Sequence, residues 1–262
     1  MSRFGHEMRT AMMVWRRELI RFTRNPARVA TGFVQPILLL FVLGYGLGAI
    51  IPGYKQFIFP GAVAMNVITT SIFSGVSIVW DREFGFLREM LVAPVSRASI
   101  LLGKVLGGAV QATIQGAIIL ALAPVVGVHL DLGIVLGFLL CAILMATSLT
   151  AFGVFVASRM KKIDGFQAVM QFLLFPMFFL SGSQFPVQNL PGWLTVLTRI
   201  NPLTYAVDPM RRIVLAGGGP FGTSSQVDLF GHVIPLWAEL AALAGFALLF
   251  FGGAVMFFSR AE

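Results

Sequence analysis

Six stretches of this chain are long, apolar and nearly free of charge, and they decide what it can fold into. They run from about Val29 to Ile51, Phe57 to Trp80, Ile100 to Val125, Leu132 to Val156, Ala168 to Ser181 and Ile234 to Phe258. About 20 apolar residues in an α-helix cross the hydrocarbon core of a bilayer. The first stretch, at 1.5 Å per residue, reaches roughly 34 Å. The stretches are continuous and lack the period-2 alternation of a barrel strand. Charged residues are only 11% of the 262, against roughly 25% in soluble domains. The expected fold is an all-α polytopic membrane protein, a single transmembrane domain over residues 1–262 with six spans.

The segments between the spans carry the rest of the information. Residues 1–28 hold a helical stripe of Met8, Met12, Trp15, Leu19 and Phe22 beside Arg9, Arg16, Arg17, Arg21 and Arg24. A basic helix with such a stripe lies in the membrane interface, and Asn25-Pro26 ends it. No cleavable signal is expected, because no short apolar core with a small-residue cleavage site follows the charged lead. The fifth span is short and interrupted by Pro176. Between it and the sixth, residues 183–232 form apolar pieces too short to cross, cut by Pro186, Pro191, Pro202 and Pro209. These read as short helices lying on or dipping into the outer leaflet, a candidate lid over a path. Fifteen Lys and Arg fall on the side of the N-terminus, and four (Lys55, Arg199, Arg211, Arg212) on the other. That asymmetry puts both termini in the cytoplasm.

One island of charge separates the second and third spans. Asp81, Arg82, Glu83, Arg88, Glu89, Arg97 and Lys104 do not sit in lipid, so the island, residues 81–99, marks a loop at the membrane surface. Phe84, Leu87 and Leu91 recur at helical spacing, and Pro94 ends the pattern. The expectation is a short amphipathic helix that presents both signs of charge to water. It is either a docking helix for a soluble partner or a solvated loop whose acids and bases neutralise each other.

Other chemistries lack residues. There is no G-x-x-x-x-G-K-[ST], so ATP is not bound by that route. No G-x-S-x-G, H-E-x-x-H or clustered Asp pair marks an enzyme. Cys141 stands alone, and His6, His129 and His232 lie in three separate segments, which gives no metal site. The net charge of +8 is spread through short loops on alternate sides of the spans, an orientation signal rather than a nucleic-acid stripe. Glu239 is the only acid well inside a span; an ion pair or hydrogen bond to a neighbouring helix is its expected role, with a coupling-ion role as the alternative. Gly44/Gly48, Gly103/Gly107 and Gly133/Gly137 are small-xxx-small pairs that permit close helix approach. Neutral polar residues within spans, among them Gln35, Asn66, Thr70 and Gln171, are candidates to line a substrate path. With 25 Phe, such a lining suits a hydrophobic or amphipathic substrate.

Three motifs carry a resemblance. They are WRREL-x-x-F-x-RNP before the first span, DRE-x-G-x-L-x-x-x-L-x-x-P-x-x-R with GK after the second, and NPLTYAVDPMR after the fifth. In this order they resemble ABC-2 type permeases of ATP-binding-cassette exporters, and within them the daunorubicin-resistance type of drug exporter. The resemblance implies a permease that pairs with a second copy or a paralogue and with two ATPase subunits, which hold the ATP and Mg. It implies a prokaryotic cell membrane as the location, membrane lipid as a neighbour, and no catalysis by this chain. It places ATPase coupling on Asp81, Arg82, Glu83, Gly85, Leu87, Arg88, Glu89, Leu91 and Pro94. A connecting helix would hold Trp15, Arg16, Arg17 and Arg21, and an external gate Pro202, Tyr205 and Arg211. Export of a drug, lipid or glycan-type molecule by alternating access follows. A stand-alone secondary transporter or channel is the alternative, and would need a charge relay or an inverted repeat that the sequence does not clearly show.

Overall fold

A computed structural model describes residues 3–87, 90, 95–185, 190–215, 228–229 and 232–260. Helix α1 (Arg3–Thr23) precedes a first span built from α2 (Pro26–Leu38), a π-helical turn (Leu39–Leu43) and α3 (Gly44–Gly48). The π turn starts three residues after Pro36, whose missing N–H breaks the regular ladder. The second span joins α4 (Tyr54–Ser74) to α5 (Val76–Glu83), and the third is α6 (Arg97–Leu120). Then come α7 (Leu132–Ala157), α8 (Ile163–Phe179), the short α9 (Gly192–Ile200) and α10 (Thr204–Leu215), and finally α11 (Leu236–Arg260). A two-residue antiparallel bridge, β1 (Asp228–Leu229) with β2 (His232–Val233), precedes α11.

The fold is all-α and polytopic. Among the described residues five helical stretches are long and apolar enough to cross a membrane, and α8, with 17 residues, is shorter. At about 26 Å it falls just under the ~30 Å hydrocarbon core. Its two ends show how far it reaches. Ile163 N donates to Glu83 at the end of the second span, and the Tyr54 hydroxyl at that span's start donates to Gln184 O. The segment from Ile163 to Gln184 therefore runs the length of the second span in the opposite direction.

The expected breaks at Pro176 and Pro209 are corrected, whereas Pro191 and Pro202 bound α9 and separate it from α10 as expected. Pro60, Pro176 and Pro209 all lie inside continuous helices. The fixed φ of proline is compatible with a helix, and neighbouring helices in a bundle compensate for the freed carbonyl.

Helices α4, α6 and α7 form the centre, with α4 buried along most of its length. Around them α1 packs on α6, α11 on α7, α10 on α7 and α4, and α2 on α4. Two glycine sites show close approaches that matter for the bundle. A Cβ on Gly75 would sit 2.6 Å from the Gly153 carbonyl carbon, so the second and fourth spans touch backbone to backbone. A Cβ on Gly103 would meet Ala11 O at 2.6 Å, and one on Gly107 would meet Glu18 Cβ at 2.7 Å. The Gly103/Gly107 pair thus forms the seat for α1. Gly44, Gly133 and Gly137 make looser contacts.

Candidate functional site

Helix α1 turns a face of Thr10, Ala11, Val14 and Glu18 onto α6, and all four are buried. Met8 and Met12 of the expected stripe are exposed, and Trp15, Leu19 and Phe22 are half-buried. Because Gly103 and Gly107 bring α1 close, Glu18 reaches a buried set of charges. Lys104 Nζ donates to Asp81 Oδ2 at 2.7 Å, to Glu18 Oε1 at 3.2 Å and to the Ser77 hydroxyl at 3.0 Å. Arg17 donates to the same Asp81 oxygen at 2.6 Å and to Glu18 at 3.2 Å. Two acids and two bases balance, and they tie α1 to the second and third spans. Burial alone would lower the Arg17 guanidinium; Asp81, then Glu18, more than offset that and raise it.

This overturns the expectation that the start of the island faces water. Asp81 is 1% exposed. Its helix does not stop at Trp80 but continues to Glu83, so Asp81 points back into the bundle toward Lys104. Lys104 is likewise inside the third span and 3% exposed, not in a surface loop.

The next two charges also serve this chain. Arg82 donates to Ser158 O at 3.2 Å and Met160 O at 2.6 Å, closing the end of α7. Glu83 accepts from Ile163 N at 2.9 Å, which caps α8 and complements its dipole. Arg97 donates to Phe258 O at the end of α11. One end of the second span therefore holds α1, α6, α7 and α8, and the start of α6 holds α11.

Past Glu83 the helix ends. Phe84 is the cap, and Gly85, at φ +81°, turns the chain. That turn breaks the spacing expected to put Phe84 and Leu87 on one face. Phe84 is 62% exposed while Leu87 is buried. Phe86 is also exposed, and Trp80 packs edge-on to Phe84 at 5.7 Å. An apolar, aromatic knob thus stands beside a charged cluster turned inward. Arg88, Glu89, Leu91 and Pro94 lie outside the described residues.

Of the connecting-helix residues, Arg17 enters the buried cluster, whereas Arg16 and Arg21 are exposed. Sequence reasoning missed Glu18 and Ser77, whereas Gln111, one of the neutral polar residues within the spans, donates to Glu18 O on the neighbouring helix. A signal for Glu18 existed: this acid of a basic helix falls at helical spacing from Ala11 and Val14.

Gln35, Asn66 and Thr70 come together on one cavity of about 460 Å³ between α1, the first span, the second and the third. Asn66 Nδ2 donates to Gly32 O at 2.9 Å, and Thr70 Oγ1 to Gln115 Oε1 at 2.6 Å. Gln111 and Gln115 line it as well. Gln171 does not: it sits exposed on α8, away from this cavity.

At the opposite end of the bundle, Pro202 is half-buried at the foot of α10. The buried Tyr205 donates to Arg199 O at 2.7 Å. Arg211 is 1% exposed, donates to Gly182 O at 2.5 Å and lies 4.0 Å over the Phe57 ring. Burial, partly offset by Asp208 and then Tyr54, pushes its guanidinium down to about 10, so it stays charged at neutral pH. Glu239 forms the helix-to-helix ion pair expected of it, with Arg212 at 2.9 Å; Arg212 also pairs with Asp208 at 2.6 Å.

Residues 10–215 match the ABC-2 type transporter family. The chain belongs to that family. Among similar proteins, the putative transport permease ycf38 of Cyanophora paradoxa is 29% identical over 246 residues, 90% of this chain and 84% of that one. Nodulation protein J of Rhizobium leguminosarum bv. trifolii is 28% identical over 228 residues, 84% of each chain. The probable multidrug ABC transporter permease YbhR of Escherichia coli K12 is 32% identical over 164 residues, 62% of this chain and 44% of that one. The matched range takes in most of α1, the buried charge cluster, the cavity and α10.

Proposed function

We propose that this ABC-2 permease is the membrane subunit of an exporter, crossing the cell membrane six times with both termini in the cytoplasm. A separate ATPase subunit, two copies per permease pair, would bind ATP and Mg and drive alternating access. A hydrophobic or amphipathic substrate enters through the amide-lined cavity and leaves under α9 and α10. The observation that carries this reading is the end of the second span. There Asp81, Arg82 and Glu83 fasten α1, the third span, α7 and α8 to one helix, while Phe84 and Phe86 project beside them.

The charges are thus the linkage and the aromatic knob is the contact. A push on Phe84 and Phe86 moves the second span; the ion pairs of Asp81 carry that motion to α1 and α6, and the backbone hydrogen bonds of Arg82 and Glu83 carry it to α7 and α8. Phe84→Ala with Phe86→Ala tests this. The variant should insert at normal level, lose co-purification with the ATPase and lose nucleotide-dependent export. Undiminished co-purification and export would overturn the assignment.

A further inference from the structure

Four features of the cavity define a ligand by its parts. At its mouth stands Arg21, exposed, and among the described residues no carboxylate pairs with it. The one acid lining the cavity, Glu18, is already balanced by Lys104 and Arg17, so Arg21 leaves the mouth net positive. Deeper in, Asn66 is 2% exposed; Gly32 O holds its Nδ2, and its Oδ1 has no partner. Beside it Gln115 accepts from Thr70, which leaves its Nε2 to donate. A ligand group that both donates and accepts, a hydroxyl or an amide, satisfies both atoms.

The cavity does not end there. Thr31 and Gln35 also belong to an apolar groove that runs along the first span past Val34, Leu38, Val42 and Leu43. From Thr31 to Leu43 is about 18 Å of helix, a little more than half of the ~30 Å hydrocarbon core. The groove follows one helical row, enough for one chain. Anion site, hydrogen-bonding junction and apolar row follow one another in the order in which a lipid of the leaflet on the α1 side presents its parts.

We propose that the cavity and groove bind a single-tailed amphiphile with a phosphate head, its phosphate on Arg21, a junction hydroxyl between Asn66 and Gln115, and its tail on the first span. This deepens the reading of the cavity as the substrate's way in, and rests on it only for the direction of traffic. A second copy of the chain could cover the groove but offers no reason for the charged mouth and the unmet acceptor.

The test needs no ATPase, so its failure is separate from failure of the exporter reading. The full chain, purified in an uncharged maltoside, is incubated with palmitoyl lysophosphatidylglycerol, and retained lipid is measured by native mass spectrometry. One molecule per chain is expected. Glycerol phosphate, monopalmitoylglycerol and dipalmitoyl phosphatidylglycerol should each bind about tenfold more weakly. Arg21→Gln should weaken the lysolipid by about tenfold and leave monopalmitoylglycerol unchanged. Gly32→Val, which pushes a side chain toward Gln115 and Asn66, should remove both. Equal binding to Arg21→Gln, equal binding of the two-tailed lipid, or no retention by a folded chain would overturn the proposal. Arg21 is exposed, so its variant gives a readout even where Gly32→Val misfolds.

Discussion

Each end of the bundle buries a basic side chain, Lys104 at one and Arg211 at the other, and they hold it differently. At the α1 end, Lys104 and Arg17 meet the carboxylates of Asp81 and Glu18, side chain to side chain. At the opposite end, Arg211 meets the backbone carbonyls of Gly182 and Ser183 and the face of Phe57. Ion pairs between long side chains can exchange partners as helices shift. Carbonyls in a tight turn cannot follow. The first arrangement suits a joint that must transmit movement, and the second a peg that fixes one turn against the second span.

The largest effect that would separate them is at the peg. Arg211→Met removes a guanidinium and leaves two buried carbonyls and a ring without their partner. We expect a loss of about 3–5 kcal/mol, seen as a chain that is degraded or melts far below the parent in detergent. A near-normal melting temperature would show that the turn at Gly182 holds itself and would erase the contrast.

The joint should respond in a second way. Lys104→Met alone leaves Asp81 and Glu18 sharing Arg17, and should cost about 3 kcal/mol. Adding Asp81→Asn to Lys104→Met removes a charge of the other sign. The double variant should then recover about 1–2 kcal/mol of that loss, because neighbours in one network are not additive. No corresponding charge substitution rescues Arg211→Met, since its hydrogen-bond partners are backbone carbonyls. Strict additivity of the Asp81 and Lys104 changes would mean that they do not act as one cluster.

The sequence made the spans legible because lipid allows only helices whose apolar length matches the bilayer, and that length is countable. Five of the expected spans have a helix long and apolar enough to cross, displaced by a few residues, and the expected fifth falls on the shorter α8. The Gly103/Gly107 pair was legible as a close approach, though not that α1 was its partner. Charge was read less well. Asp81 looked like surface because its partners, Arg17 and Lys104, lie 64 and 23 residues away in the chain. A charge away from water costs far less when paired than when unpaired, and pairing is a fact of the fold. Likewise Phe84 and Leu87 counted as one face only while Gly85 was assumed helical. Gln35, Asn66 and Thr70, chosen by polarity within a span, line one cavity because their faces turn inward. The same criterion misplaced Gln171 because α8 turns that residue outward.

The smallest expected effect asks whether the joint is a joint at all. Asp81, Arg82 and Glu83 are consecutive, and they pass from buried through half-buried to exposed. Glu83 caps α8 from the exposed end of that series. Glu83→Gln keeps an acceptor for Ile163 N but removes the charge that complements the helix N-terminus. That is worth only about 0.5 kcal/mol, and salt should shrink it further. A contact that merely stabilises would change transport in proportion to that small loss. A contact that carries motion from the second span to α8 would slow export several-fold while the melting temperature barely moves. Measuring both on one preparation, with co-purification of the ATPase as the control for docking, separates a structural cap from a transmitting one. If transport stays at the parental rate, the linkage ends at Arg82 and α8 is only a neighbour.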